Sequence, residues 1–300
     1  MSVLVVGSAA LDTIETPFGN AHDALGGSAI YFSSSASFFT SVNVVAVVGQ
    51  DFPFNQIQYL RDRNVDFSGL SSEDGNTFRW GGRYSVNLND RDTLFTHLNV
   101  FENFKPVLPD HFKSTPYVFL ANIQPQLQTD VLDQMDKPKL VVLDTMNFWI
   151  ERTLDDLKKV LRRVDILIIN DSETQQLSGE YNLFKAARMI QEMGPKILVL
   201  KKGEHGAMLI TEDDYFWAPA YPLQILSDPT GAGDTFAGGF LGYIAKVNDV
   251  SMPTLRKAVI FGSTLASFCV EKFGVQRLIE LRMEEINNRY QEFIRLTKFD

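Results

Sequence analysis

The chain has little of what builds covalently stapled or metal-centred folds. A single cysteine, Cys269, stands among 300 residues, so no internal disulfide and no cysteine cluster can form, and a reducing compartment is expected. Four histidines, His22, His97, His111 and His205, make no spaced cluster, which argues against a zinc site or a histidine-driven nucleophile. Basic residues number 28 against 37 acidic ones, and a net charge of −9 argues against a nucleic-acid or anionic-membrane surface. No apolar run approaches the roughly 18 uninterrupted residues of a membrane span, and the apolar start Val3–Val6 is short and has no basic segment before it. A cytoplasmic location is the expectation. Two familiar phosphate loops are missing as well: Gly-x-x-x-x-Gly-Lys-Ser/Thr occurs nowhere, and Phe236 stands where Gly-x-Gly-x-x-Gly needs its third glycine.

What is present is an ordinary globular composition, 45% hydrophobic and 22% charged, long enough for one large domain over residues 1–300. Short continuous apolar runs recur at residues 3–6, 42–48, 117–120, 140–143, 166–169, 197–200 and 207–210, the pattern of strands buried on both faces of a parallel sheet. Helical stretches fall between many of them, at 30–39, 51–63, 127–135, 154–163, 172–177 and 183–193, and helices also close the chain at 252–272 and 278–296. Regular alternation of this kind predicts an α/β fold with a doubly wound, mostly parallel sheet flanked by helices. Residues 76–100 depart from it, with β-branched and aromatic residues broken by glycine and an Asn-Asp turn, and read as a β-hairpin.

The most informative stretch is Asp228-Pro229-Thr230-Gly231-Ala232-Gly233-Asp234-Thr235-Phe236, which runs into an apolar helix ending near Val247. A helix start leaves backbone N–H groups unpaired and carries partial positive charge, and Gly231, Ala232 and Gly233 let an anion approach them. Asp234 then stands beside the place where a phosphate would lie. Asp12 follows the first strand, where open α/β sheets bind ligands, and its two oxygens can accept from neighbouring hydroxyls of a sugar or ribose. Gly26-Gly27 allow close ligand approach before a buried helix in which Tyr31 either packs in the core or stacks on a ring of the substrate.

Taken together, these motifs resemble those of the ribokinase-like (PfkB-type) carbohydrate kinases, in the expected order along most of the chain. The resemblance implies a small β-sheet lid, made here of about 13–24 and 76–100, over a sugar or nucleoside substrate held by Asp12, Gly26, Gly27, Tyr31 and Asp234. It implies ATP with Mg²⁺: Asn170 and Glu173, in Asn170-Asp171-Ser172-Glu173, match an Asn-x-x-Glu motif that holds the metal's water shell, and oxygen donors suit a small hard cation. The same segment can also cap a helix, and the two roles are compatible. Lys202, Gly203 and Gly206 match the family's turn beside the nucleotide, Thr230, Gly231 and Gly233 its phosphate loop, and Phe261 and Leu265 are candidates for the adenine wall with Cys269 and the loop 219–226. Asp234 would be the base that takes the acceptor's proton, with the backbone of Gly231, Ala232 and Gly233 around the moving phosphoryl group. Arg79, Arg83 and Arg91 are lid residues within reach of the substrate or of solvent. Three functions stay open: a sugar kinase, a nucleoside kinase of the same fold, and a nucleotide-binding protein without catalysis. A homodimer through the lid edge is a further possibility.

Overall fold

The computed structural model describes residues 1–88 and 90–298. Its strands are β1 (Ser2–Val6), β2 (Ala10–Thr16), β3 (Gly19–Gly26), β4 (Ser41–Gly49), β5 (Val65–Glu73), β6 (Phe78–Tyr84) and β7 (Arg91–His97) in the first part of the chain. There follow β8 (Tyr117–Leu120), β9 (Leu140–Asp144), β10 (Ile166–Asn170), β11 (Ile197–Lys201), β12 (Ala207–Ile210) and β13 (Tyr215–Ala218). Nine of these form one sheet in the order β13-β12-β11-β10-β9-β8-β1-β4-β5. From β5 across to β11 every pair is parallel, and only β12 and β13 turn back antiparallel.

Alternate side chains of the apolar strands feed two separate core layers. Val3, Val5, Phe119 and Ile168 face the helices Ser28–Ala36, Ala232–Val247 and Met252–Cys269, while Leu4, Val6, Leu120 and Ile169 face Pro125–Gln134, Leu154–Leu161 and Leu183–Gln191. The sheet is therefore wound on both faces, as the uninterrupted apolar runs require. The helix Ala232–Val247 sits close against Ser28–Ala36 because Gly238 has no side chain: a Cβ there would fall 2.3 Å from the carbonyl oxygen of Phe32.

The remaining strands form a smaller sheet, β3-β2-β6-β7, in which β2 pairs antiparallel with β3 and parallel with β6. It leaves the large sheet only three residues after β1, and that junction is pinned by Ser8 and Ser28, each of whose N–H groups donates to the other's Oγ at 3.0 Å. Ile14, Tyr84 and Leu88 form its own apolar cluster, with Trp80 and Phe273 against them.

The elements differ from the sequence expectation in instructive places. Asp12 is on β2 itself and not in a loop. Residues 51–63 give only the short turn Phe54–Ile57 and the single helical turn Gln58–Asp62, because Asp51 instead accepts from the N–H and hydroxyl of Thr77, both at 2.7 Å. The last helix is two, Gln276–Glu280 and Met283–Thr297, with the Glu285 carboxylate accepting from Arg282 N at 3.1 Å to start the second. β5 and β13 carry too many polar or exposed residues to read as buried runs; both are edge strands. Among the described residues no helix is long and apolar enough to cross a membrane.

Candidate active site

The C-terminal ends of β9, β10 and β11 bring Asp144, Asn170 and Lys201 to one edge of the sheet. Beside them the helix Ala232–Val247 begins. Its leading loop is shaped by Asp228, a side chain 1% exposed, whose Oδ1 accepts from Thr230 N at 2.8 Å and whose Oδ2 accepts from Gly274 N at 3.0 Å. Gly231 then takes φ 74°, a left-handed conformation, and makes no side-chain cap, so the first turn keeps unpaired donors. Ala232 is not one of them: its N–H donates to Pro229 O at 3.2 Å within the turn. Gly233 N, by contrast, meets no acceptor among the described residues. Of the backbone donors expected to face an anion, Gly233 N is thus open while Ala232 N is engaged within the turn.

Asp234 is partly buried in this first turn, and its carboxyl is pushed up to about 7 by burial and by the charge of Asp144, with Lys201 opposing the rise. Lys201 is the residue that sequence reasoning passed over in favour of its neighbour. Its Nζ lies 3.4 Å from Asp144 Oδ1; burial alone would lower its pKa, but the fields of Asp144, Glu173 and Asp234 outweigh that and hold it above the ordinary lysine value. Lys202 instead faces Asp171 at 3.5 Å and the ring of Trp217. The strand ends at Lys201, and Lys202 begins the turn Gly203–His205, so the two side chains leave the backbone in different directions.

On the acceptor side the structure brings together Asp12, Gly26, Gly27, Tyr31 and Gly231. A Cβ on Gly26 would fall 2.0 Å from Asp12 Oδ2, so only glycine lets the carboxylate lie there. Asp12 is 4% exposed and is pushed up to about 8 by burial and by the charges of Asp228 and Asp234, against the opposing N–H of Gly27 and the charge of Arg91. Tyr31 is no open stacking surface. It is 1% exposed, its ring supports Gly231 from below, and its hydroxyl finds no partner among the described residues. Of the three arginines, Arg79 is paired with Asp23 and Asp51 and Arg83 with Glu15, while Arg91 lies over Trp80 with its charge acting on Asp12 and Glu173. Tyr84, also from the smaller sheet, shares a hydrogen bond of 3.1 Å with the Thr230 hydroxyl, a direct link from that sheet to the anion loop.

A cavity of about 470 Å³ opens beside the loop, a volume suited to a nucleotide, lined among others by Lys201, Gly203, Gly206, Gly233, Tyr221 and Ser263. Leu88, at the tip of the β6–β7 hairpin, reaches it too. Phe261 and Leu265 do not line it: Phe261 stacks on Tyr243 and Tyr290 in the core, and Leu265 is fully buried there with Cys269. The cavity face of the same helix is made by Ser263, Ala266 and Ser267, whose small side chains leave the room that a ring would occupy.

Asn170 and Glu173 form a reciprocal cap, Asn170 Oδ1 accepting from Glu173 N at 2.7 Å and Glu173 Oε2 from Asn170 N at 3.0 Å. Glu173 is 9% exposed, and burial with the charge of Asp144 pushes its carboxyl up to about 7 against the pull of Lys201. Among the described residues no three His, Cys, Asp or Glu are placed to hold a metal directly. Two hard oxygen donors at the sheet edge fit a Mg²⁺ held through its own waters.

So much buried carboxylate has a cost in stability. Asp12 is near 8 in the folded chain and near 3.8 in the unfolded one, so the penalty is absent below pH 4, grows across that window and is complete above pH 8. Asp12→Asn is therefore expected to raise the melting temperature by several degrees at pH 9 and to leave it unchanged at pH 4. Calorimetric scans at the two values check it; an equal change at both would contradict the assignment.

Comparison with known proteins gives concordant results. The model of the pfkB family of carbohydrate kinases matches residues 24–282. The chain is 28% identical to the cytidine kinase of Thermococcus kodakarensis over 81% of this chain and 88% of that one. It is 25% identical to the nucleoside kinase of Methanocaldococcus jannaschii over 78% of this chain and 74% of that one. The ribokinase of Staphylococcus aureus is 31% identical, over 43% of this chain and 42% of that one. Among solved structures, the M. jannaschii nucleoside kinase superposes with a TM-score of 0.77 at 22% identity, covering 97% of this chain and 98% of that one. A putative ribokinase II from E. coli, in complex with ATP and Mg²⁺, superposes with a TM-score of 0.77 at 19% identity, covering 97% and 99%.

Proposed function

Since the chain belongs to the pfkB family of carbohydrate kinases, we propose a residue-level account of how it moves a phosphoryl group from ATP to the hydroxymethyl group of a ribose-type ring. It is a phosphotransferase with an alcohol acceptor, of the sugar and nucleoside kinase class. The observation that carries the assignment of roles is the meeting of Asp234 and the unpaired Gly233 N–H at one helix start, with Asp12 close enough to feel the charge of Asp234.

On this reading Asp12 orients the acceptor by accepting from ring hydroxyls, and Asp234 accepts the hydroxymethyl proton. The acceptor oxygen bonds to the γ-phosphorus as the bond to the β,γ-bridging oxygen breaks, leaving ADP and a proton on Asp234. Gly233 N donates to the transferring group, and the small-residue face at Ser263 and Ala266 accommodates the base. Asn170 and Glu173 would hold the water shell of Mg²⁺, which when bound neutralises charge on the phosphates. The smaller sheet covers the acceptor as a lid over 13–24 and 76–100. Pairing of two copies along its open edge, and work in the cytoplasm, belong to the same reading.

Between the two acceptor classes, a nucleoside is favoured. Two relatives that match along more than three quarters of the chain are named as cytidine and nucleoside kinases, whereas the match to the S. aureus ribokinase spans less than half of it. Release of ADP from Mg·ATP against a panel of nucleosides and free sugars tests this. The expected result is a kcat/KM at least about tenfold higher for a nucleoside than for ribose, about 1.4 kcal/mol of discrimination. A preference for the free sugar would make it a sugar kinase, and no turnover on either class would favour a nucleotide-binding protein.

A further inference from the structure

We propose that Lys201 is a further catalytic residue of the phosphoryl transfer, its ammonium donating to the same phosphoryl group that Gly233 holds by its backbone. The proposal rests on the kinase reading above and adds a charged group to a site otherwise built from backbone donors.

Three features place it there. Lys201 is the last residue of β11 and lines the cavity, and a Cβ added to Gly233 would lie 2.9 Å from its Nζ. An ammonium and an unpaired helix N-terminus thus face one small volume. Both would donate to an anion placed between them, and the cavity opens at that point.

The pairing of Lys201 is also incomplete. An ammonium has three donors, and among the described residues Nζ gives one, to Asp144 at a slack 3.4 Å where a close charge-assisted bond spans about 2.8 Å. Asp144, with a side chain 8% exposed, tethers the lysine without saturating it. A merely structural ion pair would close to contact and would not require the lysine to reach the cavity. Lys202, one residue on, shows the alternative: it turns away to Asp171 and Trp217 and leaves the cavity to its neighbour.

The chemistry gives this ammonium a task. As the bond to the bridging oxygen breaks and the bond to the acceptor oxygen forms, negative charge is spread over the phosphoryl oxygens, and a preorganised cation in a partly dehydrated site stabilises it. Lys201 transfers no proton; the acceptor's proton still goes to Asp234.

Lys201→Met and Lys201→Arg, assayed with the panel's preferred acceptor, test the proposal. The expected result is a fall in kcat of about 10²–10³ for the methionine variant, with the acceptor's KM within about threefold of wild type. Arginine, which keeps the charge with a different reach, should recover at least about tenfold of that loss. A structural pair alone would move methionine only through stability, and methionine within threefold of wild-type kcat overturns the proposal. A second readout is independent of turnover: inorganic tripolyphosphate binding by calorimetry should weaken at least tenfold in Lys201→Met, and equal affinity overturns the proposal even if no acceptor is found. If the wild type turns over no acceptor yet tripolyphosphate binding still depends on Lys201, the kinase reading fails and the anion site stands. If the methionine variant does not fold, Lys201→Gln, which keeps a polar side chain and removes the charge, takes its place, and wild-type kcat with wild-type tripolyphosphate affinity in that variant decides against the proposal.

Discussion

Asp234→Asn should lower kcat by about 10² to 10⁴ while leaving the affinity for ATP within a few-fold of wild type. The substitution is nearly isosteric, sits in a helix first turn and removes only the ability to take a proton. Its pH signature is as diagnostic as its size. Burial and Asp144 hold the Asp234 carboxyl near 7, so in the wild type the base is protonated and idle below that value, and kcat/KM should fall as pH drops through about 7. In the variant the residual rate should lose the part of this acidic limb that belongs to Asp234 and keep only what Asp12 and Glu173 contribute. Steady-state kinetics between pH 5 and 9 provide the measurement; a variant with wild-type kcat would remove Asp234 from the role of base.

The second large effect is expected from Gly231→Ala. A methyl group there would lie 2.3–2.4 Å from three carbons of the Tyr31 ring, which is 1% exposed and has nowhere to retreat. The backbone adds to the clash, since φ at this residue is 74° and an L-residue in the left-handed region is disfavoured by roughly 1–2 kcal/mol. Moving the loop by even an ångström displaces Gly233 N and Asp234 together, and misplacement on that scale can cost about 10²-fold in rate. Turnover should therefore fall at least about 100-fold with a melting temperature several degrees lower, and Tyr31→Leu in the same chain should restore part of both. A Gly231→Ala enzyme with wild-type stability and turnover would show that the loop does not need its present shape.

Local motifs were the legible part of this site. A helix start made of small residues and followed by a carboxylate announces its chemistry within a dozen residues, and the apolar runs that build the sheet are equally local. What was hidden depends on which way a side chain faces. Lys201 and Lys202 look interchangeable in sequence until the end of β11 falls between them, with Lys201 at the cavity and Lys202 at the turn. Tyr31 was open to two readings, stacking or packing, and only its position beneath Gly231 decides for packing. Phe261 and Leu265 share the core-facing side of their helix, and the opposite stripe of Ser263, Ala266 and Ser267 was the available signal, since small residues mark where a large neighbour must fit. β5 escaped because an edge strand needs no continuous apolar run, and Asp12 was misplaced because the smaller sheet begins so soon after β1.

The lone thiol acquires a use from its surroundings. Cys269 is fully buried, its Sγ donates to Thr230 O at 3.7 Å directly behind the anion loop, and burial pushes the thiol up to about 12. It is inert while the loop is seated, since the thiolate is the reactive form. Alkylation can then proceed only in molecules where the loop and its helix have momentarily parted, so the labelling rate of the native protein becomes a clock for opening at the catalytic centre. Ligands that seat the loop would slow that clock, which makes one side chain a built-in reporter of occupancy without any engineered probe.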